Sequence, residues 1–196
     1  MSDFNARQYW HDETQDHLAT TQKTIETLQE HFEDLLTTCS DAVKNGNKIM
    51  FFGNGGSAAD AQHLATELTV RFIKDRAPIA ALALTTDTST LTAAGNDIGF
   101  ENIFARQIDA LGKDGDVAIA ISTSGNSQNI INAIEICVSK NIKTVGLSGR
   151  DGGKMKDLCD HMVIVPSDVT ARIQEMHILI GHMLCGGLEQ KLGLCR

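Results

Sequence analysis

Hydrophobic positions follow two regimes along this chain. From about residue 3 to 44 the sequence is polar, yet Ile25, Leu28, Phe32, Leu35, Leu36, Cys39 and Val43 recur at helical spacing, which predicts an N-terminal helical segment whose apolar stripe needs a partner surface. Asn45-Gly46-Asn47 is a stop and turn signal. Five short apolar runs follow, at 48–52, 79–84 (IAALAL), 117–122 (VAIAIS), 144–148 (TVGLS) and 162–166 (MVIVP), each separated from the next by a segment of helical character. Continuous apolar strands alternating with helices predict an α/β fold, a parallel sheet covered on both faces. A last helix, from 171 to about 192, carries Ile173, Met176, Ile178, Leu179, Ile180, Met183, Leu184 and Leu188 around most of its circumference, so it is expected to be buried by the domain or by another subunit.

At 196 residues and 42% hydrophobic content the chain is expected to form one domain, 1–196, with a helical segment at 1–44 and the α/β core and C-terminal helix at 45–196. No apolar run approaches the roughly 20 residues of a membrane helix, and the start lacks a signal-peptide plan, so a cytoplasmic protein with no membrane partner is expected. Cys39, Cys137, Cys159, Cys185 and Cys195 form no CxxC pair and read as reduced thiols, mostly core-filling. A net charge of -8 and pI of 5.3 disfavour nucleic acid as a partner, because no basic stripe is present to displace counterions. Any phosphate ligand must therefore be held largely by backbone N–H groups and hydroxyls.

Two loops suit that task. The first strand runs into Gly53-Asn54-Gly55-Gly56-Ser57, and the third into Ser122-Thr123-Ser124-Gly125-Asn126-Ser127. Each lies at the carboxyl end of a strand and the start of a helix, where free N–H groups and the helix dipole favour an anion. Either loop alone reads as an ordinary strand-to-helix turn with a Ser cap, but two together point to a phosphate cradle. Gly53-x-Gly55-x-x-Ala58 also matches a dinucleotide fingerprint. The acidic residue that should close that motif is missing, since Asp87 comes too late, and no nucleotide cofactor is expected.

His63 and Glu67, four residues apart, share a helix face that begins at the first loop. Such a pair is commonly a surface contact worth a few tenths of a kcal/mol; its position over the predicted crevice makes it a candidate for chemistry. In the last helix, Gln174 and His182 are polar groups in an apolar segment and need partners. Their eight-residue spacing is about 12 Å along the axis, so a ligand touching both lies midway or is met by groups from different copies of the chain. Arg172, Glu175 and His177 read as structural.

GNGGSAADAQHLATE, TTDTSTLTAAGNDIGF, ISTSGNS, GKDGD and TARIQEMHILIGH together resemble the phosphoheptose isomerases (sedoheptulose 7-phosphate isomerases) of the sugar isomerase (SIS) domain superfamily, from about residue 20 to the C-terminus. The resemblance implies a flavodoxin-like, doubly wound, five-stranded parallel sheet, a homotetramer, and active sites built between subunits. It implies conversion of sedoheptulose 7-phosphate to D-glycero-D-manno-heptose 7-phosphate through an enediol, an early step of ADP/GDP-heptose synthesis for bacterial lipopolysaccharide core. Substrate contacts then fall on Asn54, Gly55, Gly56, Ser57, Glu67, Asn96, Asp97, Ser122, Thr123, Ser124, Ser127 and Gln174. Glu67 and His182 become the catalytic base and the proton-transfer imidazole. One zinc per subunit is implied on His63, Glu67, Gln174 and His182, with Gln an uncommon ligand. Some relatives carry Asp where this chain has Ala171. The alternative is a related non-enzymatic tetramer that binds the DnaA initiator; it lacks the acid at the position of Glu67 and the histidine at that of His182, and both are present here.

Overall fold

The computed structural model describes residues 4–194, which leaves Cys195 outside the described residues. Five strands, β1 (Ile49–Gly53), β2 (Ala81–Ala83), β3 (Val117–Ile121), β4 (Lys143–Gly149) and β5 (His161–Val165), form one all-parallel sheet in the order β2-β1-β3-β4-β5. All five apolar runs are strands, as expected. Along β1 the side chains alternate in destination: Ile49 and Phe51 enter one core layer, Met50 and Phe52 the other. Burial on both faces explains why the sequence shows continuous apolar runs rather than alternation.

Helices α1 (Ala6–Thr27), α2 (Gln29–Lys44), α3 (Gly56–Thr69), α4 (Thr88–Asp97), α5 (Ile103–Leu111), α6 (Gln128–Ser139) and α7 (Thr170–Lys191) surround the sheet. The layer holding Leu35, Cys39, Leu64, Ile173 and Leu184 lies under α2, α3 and α7; Phe104, Ile108, Ile130 and Ile134 place α5 and α6 on the opposite face. Two expectations need correction. The segment joining β4 to β5 contains only a 3-10 turn, Gly153–Asp157, because Gly152 (φ 85°) and Gly153 (φ 53°) adopt left-handed backbone that a continuous helix cannot use. The N-terminal stripe is also broken at Leu28, where α1 ends, and Ile25 is 64% exposed rather than packed.

Within α1 only Thr20 and Thr24 are buried, while Tyr9, Trp10 and Leu18 face solvent. Its lower half is tied to α7 by charge: His17 Nδ1 lies 2.8 Å from Glu175 Oε2, and Arg172 pairs with Glu13 (3.3 Å) and Glu175 (2.5 Å). Cys39, Cys137 and Cys185 are buried free thiols and Cys159 is half-buried. Burial pushes the Cys137, Cys159 and Cys185 thiols up to about 12, which keeps them protonated and unreactive. Among the described residues no helix is long and apolar enough to cross a membrane.

Candidate active site

Strand order places the two glycine- and serine-rich loops side by side. β1 and β3 are neighbours with Gly53 opposite Ile121, so loops 54–56 and 122–127 leave adjacent strand ends at the point where the chain order reverses. The loops are joined by a reciprocal amide pair: Asn54 Nδ2 donates to Asn129 Oδ1 (2.9 Å) and Asn129 Nδ2 donates to Asn54 Oδ1 (2.8 Å). Asn129 is buried on α6. It was not anticipated, because nothing in a sequence signals a reciprocal contact between residues 75 apart. Gly55 (φ 56°) and Gly56 are exposed, whereas Ser57 is only 3% exposed and packs under Gly53. Ser122 is buried and Thr123, Ser124 and Ser127 are partly exposed.

Gln174 belongs with this loop. A Cβ on Gly56 would meet Gln174 Nε2 at 2.6 Å, so the position must be glycine for the amide to lie there. From this point α3 and α7 run in the same direction, with Leu64 against Gly181 and Phe72 against Gly186. His182 therefore falls two turns beyond Gln174, beside His63. The His63 and His182 Nε2 atoms lie 2.8 Å apart with the rings edge to face, so one nitrogen donates and the other accepts. Glu67 Oε1 is 3.5 Å from His63 Nε2, with its side chain 20% exposed. Three of the predicted residues thus converge, and Gln174 does not join them within one chain.

Two further groups complete the cluster. The Phe72 ring stacks on His182, centroids 5.5 Å apart. Asp60, one turn before His63 on the same face, has a buried Oδ2 without a hydrogen-bond partner among the described residues. Burial pushes its carboxyl above the usual carboxylate range, against the opposing pull of His63 and His182. The i, i+3 spacing to His63 was the available signal for Asp60; Phe72 lies in an irregular segment and gave none. That segment is held by Arg76, whose guanidinium donates to Glu189 Oε1 (2.9 Å) and to the carbonyls of Glu67 (2.8 Å) and Leu68 (2.6 Å). Asn96 and Asp97 sit exposed at the end of α4, hydrogen-bonded to each other at 2.7 Å, and among the described residues no side-chain hydrogen bond links either to the loops or to the His63 cluster.

The donor chemistry of His63, His182 and Glu67 suits zinc. Bonds of about 2 Å at tetrahedral angles set donor atoms about 3.3 Å apart. The histidine–glutamate spacing of 3.5 Å meets this, while the two imidazoles at 2.8 Å are at hydrogen-bond distance and must open by about half an ångström to share an ion. Among the described residues no group of three or more His, Cys, Asp or Glu side chains is already arranged around a metal position.

Comparison with known proteins agrees with this architecture. The SIS domain model matches residues 14–149. The phosphoheptose isomerase of Paramagnetospirillum magneticum is 56% identical over 174 residues, 89% of this chain and 91% of that protein. Phosphoheptose isomerase 2 of Campylobacter jejuni is 61% identical over 151 residues, 77% and 75% of the two chains. Among solved structures, phosphoheptose isomerase GmhA of Neisseria gonorrhoeae superposes with a TM-score of 0.90 at 40% identity, and the phosphoheptose isomerase of Francisella tularensis with 0.93 at 35%; each match covers 95% of this chain and 100% of the other. These relatives leave the DnaA-binding alternative without support. With its 2-1-3-4-5 sheet, paired glycine- and serine-rich loops and imidazole–carboxylate cluster, the chain belongs to the SIS-domain family and, within it, to the phosphoheptose isomerases.

Proposed function

We propose that this sugar-phosphate isomerase, a single SIS domain, converts sedoheptulose 7-phosphate to D-glycero-D-manno-heptose 7-phosphate, at an early step of nucleotide-heptose synthesis for lipopolysaccharide core. The observation that carries the reading is the convergence of Glu67, His63 and His182 within hydrogen-bond reach. Glu67 removes a proton from C1 while the imidazole of His182 delivers one to O2, leaving a neutral enediol. His182 then accepts the O1 proton as Glu67 returns its own to C2, so both groups end the cycle as they began. Ser122, Thr123, Ser124 and Ser127, with the backbone of Asn54, Gly55 and Gly56, anchor the phosphate and supply orientation. The side chain of Asn54 is largely committed to Asn129, which favours a backbone contact there.

Distance argues that one site is shared between copies. Glu67 lies eleven residues along α3 from Gly56, about 16 Å of axial rise, which exceeds the reach of a seven-carbon sugar phosphate bound to one chain's own loop. A homotetramer, with one copy's loops facing another copy's histidine cluster, resolves the mismatch and lets Gln174 and the Asn96–Asp97 pair join a neighbour's site. His63, Glu67 and His182, with Gln174 of that arrangement, would hold one zinc ion, which when bound would polarise the substrate carbonyl.

Incubation with sedoheptulose 7-phosphate in deuterated water tests the proposal. An aldoheptose phosphate carrying solvent deuterium at C2 is expected, and Glu67→Gln should lower turnover by about a hundred- to ten-thousandfold with binding retained. Absence of isotope at C2, or near-normal turnover by Glu67→Gln, overturns the enediol mechanism. The same assay after chelation and zinc titration decides the metal's part: a rate indifferent to zinc removes it.

A further inference from the structure

The second anion loop is locked from behind by a segment to which no role has been given. Gly125 (φ 63°) stands so close to the chain after β4 that a Cβ on it would lie 1.9 Å from the Gly152 carbonyl oxygen. In return, a Cβ on Gly153 would lie 2.4 Å from the Ser124 carbonyl oxygen and 2.6 Å from Asn126 Nδ2. Backbone contact of this kind forbids any side chain at either position. Hydrogen bonds fix the contact: Met155 N donates to Gly125 O (3.1 Å), and the Asn126 amide spans the junction, donating through Nδ2 to Ser124 O (2.8 Å) and accepting at Oδ1 from Lys154 N (3.2 Å). Asp151 Oδ1 accepts from Gly153 N (3.0 Å) and shapes the turn.

We infer that Asn126 and the Gly152–Gly153 pair are positioning residues for the substrate phosphate, clasping Ser124 and Gly125 in their anion-binding shape before substrate arrives. The inference rests on the reading of Ser122–Ser127 as a phosphate site and adds to it the element that sets its geometry. Its physical basis is preorganisation. The Gly125 carbonyl and the Asn126 amide oxygen are taken up by the clasp, while Gly125 N donates to Ser122 O (3.1 Å) and Asn126 N to Ser124 Oγ (3.3 Å), so the clasp and the loop's own bonds together leave the Ser122–Ser124 backbone and the start of α6 a single arrangement to present. Asn126, conspicuous within the serine-rich loop, faces the clasp rather than the ligand. The lysine side chain is not required: only the backbone N–H of Lys154 takes part.

Calorimetric titration with sedoheptulose 7-phosphate, and separately with inorganic phosphate, tests this without relying on turnover. Asn126→Ala removes two hydrogen bonds at an exposed side chain; it should weaken both ligands about tenfold and raise KM equally, with kcat within about twofold and Tm nearly unchanged. Lys154→Ala keeps its N–H and should bind as wild type. Gly153→Ala should be weaker than Asn126→Ala; if it fails to fold, Asn126→Ala decides alone. Unchanged affinity in Asn126→Ala, or an equal loss in Lys154→Ala, overturns the clasp. A wild-type protein that binds phosphate but forms no aldose would instead count against the isomerase reading and leave the clasp standing.

Discussion

His177 and His182 lie five residues apart on α7 and do opposite work. His182 faces His63 and Phe72 at the rim of the cluster, whereas His177 is fully buried and donates from Nε2 to the Ser148 carbonyl at 3.0 Å, with Nδ1 unpartnered among the described residues. Burial holds the His177 imidazole down to about 4 from an ordinary 6.5, the Ser148 contact opposing only in part. Between these values the unfolded chain binds a proton that the folded chain refuses. The stability His177 contributes is thus complete above pH 6.5 and drains away as pH falls toward 4, by about 3 kcal/mol. His177→Gln can still donate to Ser148 but does not titrate. Urea midpoints between about pH 7.5 and 4.5 should fall less steeply in that variant than in wild type, and parallel curves would refute the assignment. The sequence shows both histidines and reads His177 as structural and His182 as a site candidate; only the packing of α7 on β4 makes the distinction quantitative.

At the scale of elements, the functional side chains depend on how α3 ends. The last carbonyls of this helix receive the Arg76 guanidinium, which is paired with Glu189 of α7, both side chains essentially unexposed at 1% and 0%. Glu189 also accepts from the backbone N–H of Phe72 at 3.1 Å, and so holds the segment whose ring stacks on His182. Removing the cation from a buried ion pair generally costs about 3–5 kcal/mol. Arg76→Met should therefore unfold at markedly lower urea and lose activity beyond what its stability explains, since Glu67 and Phe72 both lose their anchor. Activity at wild-type level in the folded fraction would dissociate the anchor from the site. Nothing in the local sequence around Arg76 predicts this, because its partner is 113 residues away.

At the scale of the molecule, an apolar surface continues outward from the site. Leu179 and Met183 of α7 are 39% and 47% exposed and, with Ile25, Leu28 and Phe32, line a cavity of about 330 Å³; a second hollow sharing Phe32, Leu179 and Met183 reaches His182. Exposed apolar surface on this scale is where the proposed assembly, with its site shared between copies, would be buried. Leu179→Asp should reduce the mass measured by light scattering and the activity together, while the isolated fold persists. A variant of unchanged mass and activity would separate the apolar face from assembly.

Periodicity and turn chemistry in the sequence determined the five strands, the two glycine- and serine-rich loops at strand ends and the long C-terminal helix, because each reflects a local backbone preference plus burial on a predictable face. Motif spacing placed His63 and Glu67 on one helical face, and the family resemblance, not the spacing, grouped them with His182. Tertiary structure alone decided that α1 breaks at Leu28, that β4 and β5 are joined by a tight glycine turn, and that Gln174 sits with the loop while His182 sits with His63. It alone revealed Asn129, Phe72, Arg76 and the Asn126 clasp. Those contacts join residues far apart along the chain through side-chain amides, rings and buried charge, and their formation depends on the parallel packing of α3 and α7 and on the order of the strands, neither of which any local pattern encodes.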